Sequence, residues 1–361
     1  MSCCWRSRTG WCWSTPASAR RTCATRIDPR PRPGGADREL PRPLPVRGGP
    51  GGRRRPGHVS RLTGPTATGR TLSVVSRPVP AALLPWLDAL LCPHCREPFA
   101  LTDRTLRCPS GHSFDLARAG YVSLLPGSAP ISGDDDDMAR ARDSFLSTGA
   151  YDALRALTAD LAARALEGTD DPRVLDIGCG TGHYLSSVLD RVPGAQGLGV
   201  DTAPRALRFA ARAHDRAAAA GWDVFSPFPL RDAGVDLVMD VFAPRNPAEF
   251  ARVLRPGGRL LVVRPAAEHL AELREHVPGM VRPDPRKEER LAEALAPHFA
   301  VEDSRPLRFT VALDDAMARY LVAMTPSARH VDLAALDGLD GPGGAPREVT
   351  VSVLASLHRP R

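Results

Sequence analysis

Lysine is almost absent from this chain: Lys287 is the single lysine among 48 basic residues. Abundant alanine, arginine, proline and glycine accompany this shortage, a composition typical of GC-rich coding DNA. The arginine content by itself is therefore no indication of nucleic-acid binding. Long apolar runs are also lacking, which excludes a membrane-spanning helix of about eighteen residues. We expect a cytoplasmic enzyme with no membrane partner and, at 361 residues, one main domain plus a smaller one.

Acidic residues are scarce in the first 80 positions, which hold 16 arginines against Asp28, Asp37 and Glu39. This segment carries a net charge of +13, and the rest of the chain carries −6. It is rich in proline and glycine, shows neither helical nor strand periodicity, and its cysteines fit no metal or disulfide pattern. We expect residues 1–80 to be a disordered extension, and we favour a misassigned gene start. A basic tail that assists RNA binding and a targeting segment are the alternatives.

Four residues with metal-ligand chemistry follow in the pattern C-x2-C, twelve residues, C-x3-H: Cys92, Cys95, Cys108 and His112. Thiolate and imidazole are ligands that Zn²⁺ prefers, and four of them complete a closed structural site. The spacing predicts a zinc ribbon over residues 86–126, whose small core needs the metal in order to fold. The alternatives are a chance arrangement and a redox pair, and a redox pair would need C-x2-C at the start of a helix, which Pro93 disfavours.

Residues 127–168 are expected to form a linker and helices. The run of aspartates at 134–137 is compatible with a divalent-cation site. It stands directly before the helical segment MARARDSFL, where acidic residues cap a helix and complement its dipole. We therefore predict helix capping rather than cation binding.

A glycine-rich turn joins a short apolar strand to an amphipathic helix in PRVLDIGCGTGHYLSSVL. Gly178, Gly180 and Gly182 are spaced G-x-G-x-G, whereas dinucleotide-binding loops carry G-x-G-x-x-G around a pyrophosphate. Asp176 precedes these glycines, and its carboxylate would repel a pyrophosphate but suits the cationic amino-acid end of S-adenosylmethionine (SAM). The loop therefore predicts SAM rather than NAD, with Asp201 at the end of the next strand binding the ribose hydroxyls.

Strands and helices alternate after this loop. Residues 235–241 form a buried apolar run that ends in the loop 242–244, and a helix, a Pro-Gly-Gly turn and a further strand follow. An alternating apolar run at 349–354 predicts a last sheet strand. In doubly wound sheets ligands bind at the carboxyl ends of strands, where these loops fall. Residues 169–361 are thus predicted to form an α/β class I SAM-dependent methyltransferase domain with a doubly wound, Rossmann-like sheet.

The order of zinc module, helix and methyltransferase domain resembles that of the RlmA/TlrB-type 23S ribosomal RNA guanine-N1 methyltransferases. The similarity covers residues 90 to about 330 and lies in CPHC…CPSGHSFDLARAGYVSLL, ARDSFLSTGAY, VLDIGCGTGHY, VFAPRN and LLVVRPAAEHLAEL. It implies methylation of guanine N1 in a hairpin loop of 23S ribosomal RNA (rRNA), and a homodimer. It also implies zinc ligation by the three cysteines and His112, and SAM contacts from Tyr151, Gly182, His183 and His269. One branch of the family provides self-resistance in macrolide producers, and GCGTGHY and VFAPRN are closer to that branch.

Guanine N1 carries a proton at neutral pH, so its methylation makes a general base plausible. Asp240, beside the 242–244 loop, is the candidate, and its alternative role is to cap the strand end or hold the loop. Phe242 is a candidate for stacking on a guanine turned out of its hairpin, with ordinary packing as the alternative.

Arginines on and after the zinc module are the candidates for phosphate contacts: Arg96, Arg104, Arg107, Arg118, Arg140 and Arg142. The −6 charge of the chain beyond residue 80 argues against RNA binding unless these arginines share one face. Two other functions stay open. A small-molecule methyltransferase would need a closed apolar pocket, and a SAM- or zinc-binding adaptor would transfer no methyl group.

Overall fold

The structure, a computed structural model, describes residues 78–127, 134–277, 279–281, 286–331 and 347–361, all within one compact unit. The predicted extension 1–80 lies outside these residues except for its last three positions. Among the helices of the described segments, none is long and apolar enough to cross a membrane.

The described residues form eleven strands: β1 (Ala100–Thr102), β2 (Thr105–Arg107), β3 (Ser113–Asp115), β4 (Val122–Ser123), β5 (Arg173–Ile177), β6 (Gln196–Asp201), β7 (Ala217–Gly221), β8 (Val235–Val241), β9 (Leu254–Pro265), β10 (Phe299–Leu313) and β11 (Arg347–Pro360). They also form eight α-helices: α1 (Asp136–Leu146), α2 (Asp152–Ala165), α3 (His183–Arg191), α4 (Pro204–Ala213), α5 (Pro247–Val253), α6 (Ala271–His276), α7 (Lys287–Leu295) and α8 (Asp315–Ala323). Short 3-10 helices cover Ala81–Trp86 and Pro326–Arg329.

Eight strands form one sheet in the order β10-β11-β9-β8-β5-β6-β7-β4. The pairs from β9 to β4 are parallel, whereas β11 pairs antiparallel with both β9 and β10. The chain builds outward from β5 to β7 and then returns to β8 on the other side of β5. The switch point where doubly wound sheets bind ligands therefore lies between β5 and β8. The predicted doubly wound sheet is confirmed, and the predicted last strand lies within β11.

The central strands are buried on both faces. In β9, Leu260 and Val262 belong to one apolar cluster while Leu261 and Val263 belong to the other, as the period-two alternation of a strand requires. Helices on both faces leave no solvent-exposed side, which explains why β8 reads as a continuous apolar run. The predicted Pro-Gly-Gly turn is a bulge within β9.

The zinc module forms a separate antiparallel sheet of β1, β2 and β3, and two features join it to the main sheet. The segment after β3 supplies β4, which pairs with β7 as the edge strand of the main sheet. Arg96, next to Cys95, donates hydrogen bonds to the carbonyl oxygens of Phe228 (2.5 Å) and Leu230 (2.9 Å). The ribbon is thus joined to the main sheet through β4, and to the segment before β8 through Arg96.

The aspartate run begins α1, as predicted. The side chain of Asp135 accepts hydrogen bonds from the backbone amides of Asp137 (3.0 Å) and Met138 (2.8 Å). Asp137 in turn pairs with Arg140 at 2.5 Å. These contacts satisfy free amide donors at the helix start, so the capping prediction is confirmed.

Candidate active site and metal centre

Two glycines of the loop after β5 occupy positions where a larger residue would not fit. Gly178 has a φ of 62°, and a Cβ at this position would lie 2.7 Å from the Cβ of Ala243 in the loop after β8. Gly182 has a φ of 82°, and a Cβ there would lie 3.0 Å from the α4 backbone at Ala210. Glycine alone tolerates this conformation at no steric cost. The loop is therefore held closely between α4 and the end of β8.

Carboxylates surround this loop. Asp176 in β5 is buried, and burial, together with the charges of Asp240 and Asp201, raises its pKa well above the ordinary value. The carboxylate of Asp201, predicted to bind ribose, accepts hydrogen bonds from the backbone amides of Gly180 (2.9 Å) and Ala203 (2.8 Å). Asp201 thus also shapes the glycine loop. A cationic ligand group would relieve the repulsion among these acids.

Asp240, the candidate general base, is fully buried near the end of β8. Its Oδ1 lies 3.2 Å from Nη2 of Arg245, a residue of the following loop. A general base must come within hydrogen-bond reach of the proton that it removes. Because this carboxylate is enclosed and paired with a cation, the geometry favours the alternative role, in which Asp240 holds the loop through Arg245. Arg245 stands in the VFAPRN segment but was not singled out from the sequence.

Tyr151 and His269 are brought together from distant parts of the chain. Their ring centroids are 6.4 Å apart, and Tyr151 also meets Phe145 edge-on at 5.0 Å. Tyr151 is buried, which raises the pKa of its hydroxyl, and that hydroxyl has no hydrogen-bond partner among the described residues. A buried polar group without a partner costs about 1–3 kcal/mol. The Tyr151 hydroxyl is therefore available to a ligand.

Phe242 opens the loop after β8 in a left-handed backbone conformation with a φ of 58°. Its side chain is 39% exposed, and its ring stacks on His269 with centroids 5.9 Å apart and an interplanar angle of 27°. The Nδ1 of His269 accepts a hydrogen bond from the backbone amide of Ser352 (3.3 Å), which orients the imidazole. Positive φ at an aromatic residue is strained, and such strain concentrates at functional sites.

His183 is the first residue of α3, directly after Gly182. Its Nε2 is buried and lacks a hydrogen-bond partner in the part of the chain that the structure describes. Burial, followed by the positive charge of Arg155, lowers the pKa of the imidazole. An imidazole nitrogen without a partner thus lies directly after the glycine loop in the chain.

Arg142 of α1 reaches the glycine loop, a position that the sequence did not predict. A Cβ on Gly180 would lie 3.2 Å from Cδ of Arg142 and 3.5 Å from its Nη1. Nη2 donates to the carbonyl oxygen of Met324 (2.7 Å) and pairs with Asp134 (2.7 Å). The interpretation of Arg142 as a phosphate-binding residue therefore loses support, because its guanidinium lies at the glycine loop.

The predicted zinc ligands converge on one point. The ligand atoms of Cys92, Cys95, Cys108 and His112 all lie within 4.8 Å of one another. The Sγ atoms of Cys95 and Cys108 are 3.6 Å apart, and Nδ1 of His112 lies 3.3 Å from Sγ of Cys108. Tetrahedral zinc with bonds of about 2.0–2.3 Å places its ligand atoms roughly 3.5–4 Å apart. The cluster fits Zn²⁺ in both chemistry and spacing.

Glu97 supports this cluster from outside. Its Oε2 accepts hydrogen bonds from the amide (3.1 Å) and hydroxyl (2.6 Å) of Ser110, and from Sγ of Cys95 (3.5 Å). It therefore links the two turns that carry the ligands.

The ligand residues shift the thiol pKa values within the cluster in opposite directions. Burial raises the pKa of Cys108, but hydrogen bonds with His112 and Cys95 outweigh it and lower that pKa to about 7. At Cys95 a backbone hydrogen bond from Glu97 lowers the pKa, whereas burial and the neighbouring thiols raise it to about 11. Cys108 is thus readily deprotonated near neutral pH, whereas at Cys95 the metal must displace the proton.

Two protein families match the chain. The family described as "RlmA, N-terminal" matches residues 90–129, and "Methyltransferase domain" matches residues 174–258. The chain is 46% identical over 290 residues to a putative 23S rRNA (guanine-N(1)-)-methyltransferase of Micromonospora griseorubida, covering 76% of this chain and 98% of the relative. It is 46% identical over 279 residues to the 23S rRNA (guanine(748)-N(1))-methyltransferase of Streptomyces fradiae, covering 75% and 96%. The chain belongs to the 23S rRNA (guanine-N1)-methyltransferase family.

Membership of this family confirms the class I SAM-dependent methyltransferase fold with a zinc ribbon. The residues present fit both SAM and a zinc ion. Gly178 of the glycine loop lies too close to Ala243 to carry a side chain. The Tyr151 hydroxyl and Nε2 of His183 are buried and have no hydrogen-bond partner among the described residues. Three thiols and one imidazole are a ligand set for zinc.

The arginines predicted to contact RNA in this methyltransferase divide into two groups. Arg96 and Arg104 both donate hydrogen bonds to backbone carbonyl oxygens. The acceptors of Arg104 are the carbonyls of Pro78 (2.6 Å) and Ala117 (2.8 Å). Arg140 is paired with the acids at the start of α1. Arg107 and Arg118 are exposed, and their side chains form no hydrogen bond or ion pair within the described ranges. These two are the arginines that remain available to phosphate.

Proposed function

We propose that this protein transfers the methyl group of SAM to N1 of a guanine in a hairpin loop of 23S rRNA. The observation that carries the proposal is the exposed Phe242 ring, stacked on His269 at 5.9 Å beside the glycine loop. Bases in RNA loops are recognised by stacking on aromatic side chains and by hydrogen bonds to their edges. The two relatives at 46% identity bear the names of 23S rRNA guanine-N1 methyltransferases, which supports the same acceptor.

Methyl transfer is an in-line displacement, so the protein chiefly aligns the two reactants. Bound SAM supplies a methyl group on a positively charged sulfonium. In this proposal Asp176 stabilises the cationic end of the cofactor, Asp201 binds its ribose, and Tyr151 and His183 fill the rest of the site. Phe242 stacks on the guanine and fixes N1 in line with the methyl group. As N1 gains the methyl group it loses its proton to solvent water, and S-adenosylhomocysteine is released. Asp240 positions the Phe242 loop through Arg245.

A small-molecule acceptor receives less support from the structure. The apolar cavity bordered by Leu90, Trp222 and Leu230 has a volume of about 10 Å³, and the larger hollow lined by Thr148 and Phe309, of about 410 Å³, is open to solvent. Neither is the closed apolar pocket that such an acceptor would need. By contrast, the exposed face of Phe242 is open to a large acceptor.

The deciding experiment supplies the zinc-loaded protein with methyl-labelled SAM and unmodified 23S rRNA. Reverse transcription then maps the product, because a methyl group on N1 blocks Watson–Crick pairing. We expect one stop at a guanine in a hairpin loop. Label in no guanine N1 would overturn the proposal.

Substitution of Phe242 tests the stacking role. Phe242→Ala is expected to lower kcat/KM about 10- to 100-fold, since stacking of a base on an aromatic ring contributes about 1–3 kcal/mol. Phe242→Tyr keeps the ring and should keep most of the rate. Tyr320→Ala removes an aromatic ring of nearly the same exposure (40%) from α8 and serves as the matched control.

The similarity to the macrolide-producer branch extends the proposal to drug resistance, exerted in the cytoplasm by a homodimer. Expression in a macrolide-sensitive bacterium is expected to raise the inhibitory concentration of a macrolide, and Phe242→Ala should reduce that rise. Analytical ultracentrifugation of the purified protein measures the dimer.

A further inference from the structure

Arg142 of α1 is a cation held directly over the glycine loop. Its side chain is 26% exposed, and its Cδ lies 3.2 Å from the position that a Cβ on Gly180 would occupy. We propose that Arg142 binds the carboxylate of the amino-acid end of SAM. The inference rests on the cofactor and is independent of which RNA or other acceptor receives the methyl group.

Two nitrogens of the Arg142 guanidinium, Nε and Nη1, are placed to donate hydrogen bonds to a ligand. Nη2 takes part in both observed contacts, the hydrogen bond to Met324 and the ion pair with Asp134. Nε is buried and has no hydrogen-bond partner among the described residues. Nη1 lies on the side of Gly180, 3.5 Å from the Cβ position. A buried donor without a partner is uncommon in native proteins and points to a missing ligand atom.

The contacts of Nη2 fix the direction of the remaining donors. Met324 and Asp134 hold one end of the planar group, so Nε and Nη1 are left toward the loop. Asp134 is itself largely buried; burial raises its pKa and the charge of Arg142 lowers it. Asp134 is therefore a positioning partner for Arg142.

Charge balance around the loop gives the second argument. The amino-acid end of SAM carries an ammonium and a carboxylate, and the buried Asp176 suits the ammonium alone. The carboxylate requires a cation on the other side. The positive charge of Arg142 acts on residues of the loop and of α3. Burial raises the pKa of Cys179 and of Tyr184, and the charge of Arg142 lowers both.

Two other arginines around the loop are paired with carboxylates. Arg155 pairs with Asp152 at 3.1 Å, and Arg245 pairs with Asp240 at 3.2 Å. A charged arginine matches a carboxylate in geometry and is more weakly hydrated than a lysine. Arg142, with Nε unpartnered among the described residues and Nη1 beside Gly180, fits the proposed contact.

The test measures binding of three ligands to the full-length, zinc-loaded protein by calorimetry. The ligands are SAM, decarboxylated SAM, which lacks the carboxylate, and methylthioadenosine, which lacks the whole amino-acid end. Arg142→Ala is expected to weaken SAM binding by roughly 10- to 100-fold, the loss of a charge-assisted hydrogen bond. It should change the dissociation constants of the other two ligands by less than about threefold, on the same basis.

Two variants complete the comparison. Arg142→Lys keeps the charge without the planar group and should bind SAM with an intermediate affinity. Arg140→Ala removes an exposed arginine of the same helix and should leave all three affinities unchanged. Retained methylthioadenosine binding by Arg142→Ala shows that the site has folded.

Two results would overturn the inference. An equal loss for SAM and methylthioadenosine means that Arg142 only maintains the shape of the loop. No loss for SAM means that the carboxylate binds elsewhere. Neither result depends on RNA methylation, so failure of this inference is distinguishable from failure of the proposed acceptor.

Discussion

Gly178 combines two constraints that act separately at other glycines. Its φ of 62° disfavours any side chain, and a Cβ would lie 2.7 Å from that of Ala243. Gly168 has a φ of 74° but open space around it, so it carries the conformational constraint alone. An alanine at Gly168 would therefore introduce backbone strain alone, whereas an alanine at Gly178 would introduce both backbone strain and steric overlap.

We predict that Gly178→Ala lowers the free energy of unfolding by about 2–4 kcal/mol, from left-handed strain plus overpacking. Gly168→Ala should lose only about 1 kcal/mol. Adding Ala243→Gly to Gly178→Ala should recover the steric part. Chemical denaturation measures each difference, and equal losses in the two single variants would contradict the assigned overlap.

His358 in β11 is a buried imidazole outside the active site. Its Nε2 lies 2.9 Å from the hydroxyl of Ser356, and burial, helped by the charges of Arg264 and Arg245, lowers its pKa to about 4. In the unfolded chain a histidine titrates near pH 6.5. Between about pH 6.5 and 4 the unfolded state therefore binds a proton that the folded state refuses, and stability falls as the pH falls.

We predict that His358 alone lowers the free energy of unfolding by on the order of 3 kcal/mol between pH 7 and pH 4. His358→Gln should remove this slope and leave that of other groups. Denaturant titrations at several pH values measure the difference, and parallel curves for wild type and His358→Gln would refute the prediction.

At the scale of elements, the zinc ribbon and the sheet meet at the carbonyls of Phe228 and Leu230. Arg96 donates to both from the ribbon, and Arg252 of α5 donates to the same oxygens at 3.1 and 2.8 Å. The ribbon is thus bonded to the segment before β8, and α5 follows the Phe242 loop. This contact gives Arg96 a structural role where the sequence suggested RNA binding.

We predict that Arg96→Ala lowers the free energy of unfolding by about 1 kcal/mol, the modest value expected because Arg252 still satisfies both carbonyls. Arg107→Ala, at an exposed arginine of the same ribbon, should stay within about 0.5 kcal/mol of wild type. Unchanged stability with weakened RNA binding would instead return Arg96 to the role predicted from the sequence.

For the whole molecule, RNA binding depends on where the exposed arginines lie more than on the net charge. The chain beyond residue 80 carries −6, yet many of its arginines are paired with carboxylates or carbonyls. Arg107 and Arg118 stay exposed on the ribbon side. The sheet order puts β4, next to the ribbon, and β10 at opposite edges.

We predict that replacing Arg107 and Arg118 together by glutamine weakens binding of a 23S rRNA fragment. The slope of log affinity against log salt should become less steep by about 1–2, because each phosphate contact contributes about 0.7–0.9. Arg305→Gln, an exposed arginine on β10, is the control. An unchanged slope in the double variant would exclude the ribbon as the phosphate-binding face.

The local features of this protein were predictable from its sequence. The two halves of the zinc quartet, the glycine loop, each acid at a strand end and the cap of α1 are short motifs of neighbouring residues. Backbone geometry then fixes their relation, since a tight turn or the carboxyl end of a strand brings such residues together in any fold that contains them. The alternating and continuous apolar runs predicted the sheet for the same reason.

Contacts between distant segments were decided by the tertiary structure. The sequence holds no sign that Arg142 lies over Gly180, that Arg96 bonds Leu230, or that Phe242 stacks on His269. An arginine in a helix pattern reads equally as surface, ion pair or ligand contact. Its role depends on which segment the packing of the sheet and its helices places opposite, and that choice is made by burial of the whole core.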